Sequence, residues 1–255
     1  MNGTQEKAIA PGAATFSHRW IDSKGLLLAS LIGAVAGTAA FFLLDPLATV
    51  PQAFSLPGDL KKAIHLMELF GHGAGVLLVI WLLALVGERR WKQVATAVVL
   101  TSIVGAVLKI VFIRQRPSHV EVGEVPGIQL GALAKADPVD LANPLAGLVH
   151  DSLHSFPSGH ATTAFALATA LALLYPRGRV LFFTVAVLVC LQRVFVAAHY
   201  FSDVIVGATV GLVLSQVIMD VLEKRRQGAS PSSEILEYPQ DEVSGDLLPG
   251  ERRAA

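Results

Sequence analysis

One cysteine, Cys190, stands in the 255-residue chain. This excludes an intramolecular disulfide, and its place inside an apolar run reads as a small buried hydrophobe. Charge is scarce as well. Only 16% of residues are charged, 53% are hydrophobic and the mean hydropathy is +0.57, too apolar for an ordinary soluble domain and natural for one dissolved in a bilayer. The 20 basic and 20 acidic residues cancel, which argues against a nucleic-acid partner. No repeat of about 20 to 50 residues is apparent. Residues 1–24 lack a short apolar core or a leading basic cluster, so the expectation is a disordered cytoplasmic tail rather than a cleaved signal.

What the chain does have is long apolar runs. They fall at 25–44, 70–86, 94–113, 160–175, 180–198 and 203–222, and the expected fold is all-α, a six-transmembrane-helix bundle over residues 25–222, since roughly 20 apolar residues cross a bilayer. Gly33 and Gly37 in the first run form a GxxxG, which is either a helix contact or chance. A loop is expected after Asp45-Pro46, with Asp59 capping a helix whose Leu60, Ile64 and Met67 stripe lies along the interface. Short basic turns at Glu88-Arg89-Arg90-Trp91-Lys92 and Pro176-Arg177-Gly178-Arg179, and the basic stop at Glu223-Lys224-Arg225-Arg226, predict both termini in the cytoplasm by the positive-inside rule. The long loop between the third and fourth spans then faces the extracytoplasmic side. Residues 223–255, rich in Ser, Pro, Glu and Asp, are expected to form a disordered cytoplasmic tail.

Ionisable residues beside apolar runs need a reason to be there, and three groups of them fall on the predicted extracytoplasmic face. Arg193, His199 and Asp203 sit at the join of the last two spans. Four residues separate His199 from Asp203, so on a helix they share a face and the carboxylate can hold one ring nitrogen while the other meets a reactant. Arg193 is about 240° away on a continuous helix, which predicts a break, with one helix ending near Ala197 and the next starting near Asp203. Lys109 and Arg116 stand at the end of the third span, nearly in line and about 10 Å apart in height on a helix, and Pro117 biases Arg116 toward extended backbone. Arg114 reads chiefly as a lipid-headgroup or solvent contact. At the start of the fourth span, Pro157-Ser158-Gly159-His160 marks a helix N-terminus with Ser158 as cap, Gly159 for close approach, and amides that suit an anion. His160 beside that anion is placed to protonate a leaving oxygen. Three cations around a helix N-terminus match a phosphoryl group, and two histidines match a nucleophile and an acid.

The spacings Lys109-x6-Arg116-Pro117, Pro157-Ser158-Gly159-His160 and Arg193-x5-His199-x3-Asp203 resemble the three-part signature of the type 2 phosphatidic acid phosphatase (PAP2) family of membrane lipid phosphatases. The resemblance implies a cofactor-free, metal-independent phosphatase with a phosphohistidine intermediate. His199 would attack phosphorus, Asp203 would orient it and His160 would protonate the leaving group, while Lys109, Arg116, Ser158, Gly159 and Arg193 would hold the phosphate. One departure is Gln192, where the family usually has serine.

The implied substrate is a phosphorylated lipid entering laterally from the bilayer, with undecaprenyl pyrophosphate, phosphatidylglycerophosphate, phosphatidic acid and phosphorylated lipid A indistinguishable from the motifs. Alternatives are a lipid phosphotransferase using the same site and a non-catalytic anionic-lipid binding or transport protein. Binding alone needs no histidine with its own carboxylate. His65, Glu68 and His72 recur at helical spacing and read as interfacial contacts or the lining of a headgroup entrance rather than a metal site. His150 and His154 read as part of a solvated loop or substrate-facing lid.

Overall fold

The structure is a computed structural model that describes residues 21–48, 58–121, 124–130 and 154–228. Eight α-helices follow one another among these residues: α1 (Ser23–Leu43), α2 (Asp45–Ala48), α3 (Gly58–Met67), α4 (Gly73–Leu85), α5 (Trp91–Val111), α6 (Gly159–Leu174), α7 (Arg179–Phe195) and α8 (Phe201–Gly228). A small antiparallel pair, β1 (Phe112–Ile113) with β2 (Gln129–Leu130), follows the C-terminal end of α5.

The chain is predominantly helical, and α1, α5, α7 (with the Pro176–Gly178 turn before it) and α8 are each long and apolar enough to cross a membrane. A fifth crossing is available if α4 and the helical segment before it count as one span, although the two are bent by 65°. The second span expected from the sequence thus coincides with α4, which follows a sharp bend. The helix α6 has 16 residues, about 24 Å of rise, which is short of a hydrocarbon core of about 30 Å.

That short helix is the centre of the molecule. It packs on α5, α7 and α8, and Ala161, Ala164, Ala166, Ala168, Ala170 and Ala172 are all buried. Small side chains let neighbouring backbones come close, which is how helices gain van der Waals contact where lipid is as apolar as leucine. The approach of α8 depends on two glycines. A Cβ at Gly207 would lie 2.6 Å from the Ser158 carbonyl oxygen, and one at Gly211 would lie 2.4 Å from that of Thr162. Outside this core, α1 leans on α8 through its GxxxG, since a Cβ at Gly33 would lie 2.2 Å from Thr209 Oγ1. Of the two readings of that motif, the structure selects the helix contact.

Leu27, Leu31, Phe42, Leu77, Trp81, Leu85, Ile103 and Leu181 are exposed, an outward apolar surface suited to lipid tails. The two ends of the bundle differ. At one end the Tyr175 hydroxyl donates to Glu88 at 3.0 Å and Gln93 donates to Glu223 at 3.4 Å, so the loop after α4, the end of α6 and the end of α8 gather there. Burial raises the Glu88 carboxyl, but the Arg90 amide, the Tyr175 hydroxyl and the Arg90 charge leave it below the ordinary range.

Several boundaries depart from the sequence expectation. The helix α5 stops at Val111, two residues early, because the β1 pairing takes over the chain. The helix α8 runs on to Gly228, through charged side chains that are good helix formers. Asp45-Pro46 opens the short helix α2 rather than a loop, and Asp45 is fully buried. The expected tail structure at 1–20 and 229–255, and His150, lie outside the described residues.

Candidate active site

At the opposite end of the bundle α7 ends at Phe195, and Ala197 takes the left-handed conformation, φ 52°. The break expected between Arg193 and Asp203 is there, with α8 starting at Phe201, slightly earlier than predicted. The turn drops His199 onto the segment before α6, where its Nδ1 lies 2.7 Å from the Ser155 carbonyl oxygen. A carbonyl oxygen only accepts, so Nδ1 carries the proton and Nε2 of the neutral ring keeps its lone pair. Asp203 Oδ2 is 3.8 Å from Nδ1, too long for a hydrogen bond. The direct bond expected from helical spacing is thus replaced by the carbonyl, since His199 precedes the helix instead of lying on it.

Asp203 acts on the ring through Ser155 and by charge. Its Oδ2 accepts from the Ser155 hydroxyl and from the Tyr200 amide at 2.9 Å, and its backbone carbonyl accepts from the Ser158 amide at 3.1 Å. One residue therefore ties the start of α8 to the Pro157-Ser158-Gly159-His160 motif and to the segment just before it.

Ser158 caps α6, its hydroxyl accepting from the Ala161 amide at 3.4 Å, as read from the sequence. Amides of the first helical turn have no intrahelical carbonyl. Lys109 lies against this terminus, since a Cβ on Gly159 would sit 3.5 Å from its Cε and 3.7 Å from its Nζ. Arg116 has the extended backbone expected before proline, φ −71° and ψ 150°, although α5 has already ended and Lys109 and Arg116 do not share one helix. Both cations lie within electrostatic reach of His199. Arg193, His199, Lys109 and His72 lie within the same reach of His160, so the structure brings the three sequence groups to one place. A cleft of about 290 Å³ bordered by His72, Ser102, Lys109, Gly159, His160 and Thr163 opens here.

Burial disfavours protonation of His199, and the Lys109 and Arg116 charges act in the same sense. Asp203 opposes them, and the balance leaves the imidazole below its ordinary value of 6.5. His199 is thus neutral at pH 7, as a nucleophile requires.

Arg114 is the residue the sequence reading misjudged. It is 1% exposed, and its Nη1 bonds Asp203 Oδ1 at 2.6 Å and Ser202 Oγ at 2.8 Å. Its Nη2 bonds Asp45 Oδ2 at 2.8 Å, its Nε donates to the Pro126 carbonyl at 3.2 Å, and the Tyr200 ring stacks on it at 3.8 Å. Asp45 also accepts from the Ser202 amide at 2.9 Å. The signal available in the sequence was the pair of carboxylates, Asp45 and Asp203, each bordering an apolar run and each in need of a cation. The trio at 65, 68 and 72 likewise proves to border the site: Glu68 pairs with Arg193 at 2.7 Å, and the His72 ring lies 6.0 Å from that of His160. Among the described residues no group of three or more His, Cys, Asp and Glu could hold a metal ion. His154 bonds the Lys109 carbonyl through Nδ1 at 3.1 Å.

A bundle of apolar helices that gathers cations and two imidazoles around a helix N-terminus is the arrangement of a membrane protein with a cationic pocket. The family model of the PAP2 superfamily matches residues 90–227, and the chain belongs to that family. Its fold is similar to that of a transmembrane PAP2 type phosphatidylglycerolphosphate phosphatase from Bacillus subtilis, with a TM-score of 0.54 at 21% identity over 78% of this chain and 94% of that one. Aquifex aeolicus LpxE is similar at a TM-score of 0.50 and 20% identity, over 68% of this chain and 93% of that one. In sequence the chain is 32% identical over 178 residues to a lipid A 1-phosphatase of Rhizobium johnstonii, covering 62% of this chain and 66% of that protein. It is 32% identical over 174 residues to one of Rhizobium etli, covering 61% and 68%. The chain thus spans about two thirds of the length of these relatives.

Proposed function

We propose that the protein is an integral-membrane lipid phosphatase that removes phosphate from a lipid phosphate or diphosphate through His199. The observation that carries this reading is the bond from His199 Nδ1 to the Ser155 carbonyl oxygen, which leaves Nε2 as the nucleophilic nitrogen of a ring within electrostatic reach of Lys109 and Arg116. Nε2 attacks phosphorus, the bond from phosphorus to the lipid oxygen breaks, and protonated His160 gives its proton to that oxygen. Water then attacks the phosphohistidine with neutral His160 taking its proton, and the phosphorus to nitrogen bond breaks, returning His199 and releasing phosphate. Lys109, Arg116, Arg193 and the Ser158–Gly159 backbone neutralise the equatorial oxygens, a role that needs no metal or cofactor.

The substrate proposed first is a lipid A 1-phosphate, because both sequence relatives bear the name lipid A 1-phosphatase. Undecaprenyl pyrophosphate, phosphatidylglycerophosphate and phosphatidic acid follow. Counting the bent α4 unit and the short α6 as spans gives six, and residues 25–222 are then the phosphatase domain. The loop after α4, the start of α5 and the C-terminal end of α8 share one end and carry Arg89, Arg90, Lys92, Lys224, Arg225 and Arg226. The positive-inside rule places that end and both termini in the cytoplasm and the site on the extracytoplasmic face.

The test is phosphate release by the purified full chain in detergent from this panel of lipids, with a chelator present. Release that vanishes in His199→Ala while the variant still inserts supports the reading. Full activity in that variant rejects it.

A further inference from the structure

Glu68 belongs to a short 3-10 turn, Glu68–Gly71, at the 65° bend ahead of α4. The turn is wedged against the site: a Cβ on Gly71 would lie 2.8 Å from the His160 carbonyl oxygen and 2.8 Å from Val189 Cγ1. From that position Glu68 Oε2 accepts from Arg193 Nη2 at 2.7 Å and from Gln192 Nε2 at 3.2 Å. Its Oε1 lies 3.7 Å from His160 Nε2, a buried atom with no hydrogen bond among the described residues. Gln192 closes the arrangement, because its Oε1 also accepts from Arg193 Nε at 2.5 Å. A serine, the family's usual residue there, is too short to bridge Arg193 and Glu68 together.

We infer that Glu68 is an internal anion that occupies Arg193 before substrate binds and is displaced by the incoming phosphate. The inference rests on the phosphatase reading for its role. A carboxylate has the charge and the paired oxygens of half a phosphate, so it satisfies an arginine fork in the same geometry. Its side chain is one-third exposed, so it has water to withdraw into. Displacement costs every ligand the same lost pair. A phosphomonoester, at about −1.5 to −2 charge, regains more from the surrounding cations than a singly charged phosphodiester does. Glu68 thereby keeps the diester headgroups of ordinary phospholipids from occupying the site.

The experiment is calorimetric titration of the full chain in detergent with inorganic phosphate at pH 7.5, comparing the wild type with Glu68→Gln and Gln192→Ser. Glutamine keeps the shape of the side chain and loses its charge. The expected result is that Glu68→Gln binds phosphate about tenfold more tightly, with Gln192→Ser shifted in the same direction. Binding by Glu68→Gln that is unchanged or weaker would make Glu68 a strut for Arg193 and overturn the inference. Lipid turnover by the wild type is read separately: its absence sinks the phosphatase reading while leaving the tightening measurable.

Discussion

Nη1 of Arg114 stands 2.6 Å from Oδ1 of Asp203, and neither side chain is accessible to solvent. A second carboxylate, Asp45, holds the other arm of the same guanidinium at 2.8 Å, so a planar fork joins the end of α1 to the start of α8. Lysine offers one point charge in place of the fork and cannot meet Asp203, Asp45, Ser202 and the Pro126 carbonyl together. Arg114→Ala is expected to cost about 3 to 5 kcal/mol, the usual penalty for stranding buried partners. Arg114→Lys should cost less but still lower kcat, because Asp203 loses its anchor. Thermal unfolding in detergent together with steady-state kinetics checks both.

His160 is proposed to protonate the leaving oxygen, so its importance depends on how poor the leaving group is. His160→Asn is expected to lower kcat on an alkyl lipid phosphate by about 10²- to 10⁴-fold. The loss on an activated aryl phosphate, whose phenolate departs without a proton, should be much smaller. Equal losses on both substrates would remove His160 from the acid role.

The pH dependence follows from His199. Its imidazole sits below the ordinary value of 6.5 through burial, with Lys109 and Arg116 acting in the same direction. The neutral ring is the active form, so the acid limb of kcat/KM should lie below pH 6.5, where the ring protonates, while the need for a protonated His160 sets the alkaline limb. Asp203→Asn removes the charge that favours protonation and should move that acid limb lower still. The sign for stability is the same: in the unfolded chain the ring takes its proton near pH 6.5, so this contribution is present above that value and is lost as pH falls through the folded value. A kcat/KM profile from pH 4 to 8 shows the limb.

The approach of α8 to α6 leaves no space for a side chain at Gly207. Gly207→Val is expected to cost about 1 to 3 kcal/mol by overpacking and to push Ser158 away from its amide bond to Asp203. Activity should fall more than the loss of folded protein explains, which active-site titration against total folded protein would show.

The sequence carried much of this in advance. Apolar runs showed the bilayer as solvent, and the Pro157, Ser158 and Gly159 pattern showed the cap that α6 in fact has. The motif spacings named Lys109, Arg116, His160, Arg193, His199 and Asp203, which do meet at one end of the bundle. Period and punctuation are local properties, and local properties are legible along a chain.

Partners across the chain were decided only by the tertiary structure. Arg114 looked like a surface cation because its local setting is a span end, whereas its carboxylates lie 69 and 89 positions away. The proton on His199 is held by Ser155, 44 residues earlier, because the turn at Ala197 puts the ring before the helix rather than on it. Glu68 met Arg193 only once the chain bent at Glu68–Gly71. Buried charge has to be satisfied by whatever the fold brings near, and sequence distance does not measure that nearness.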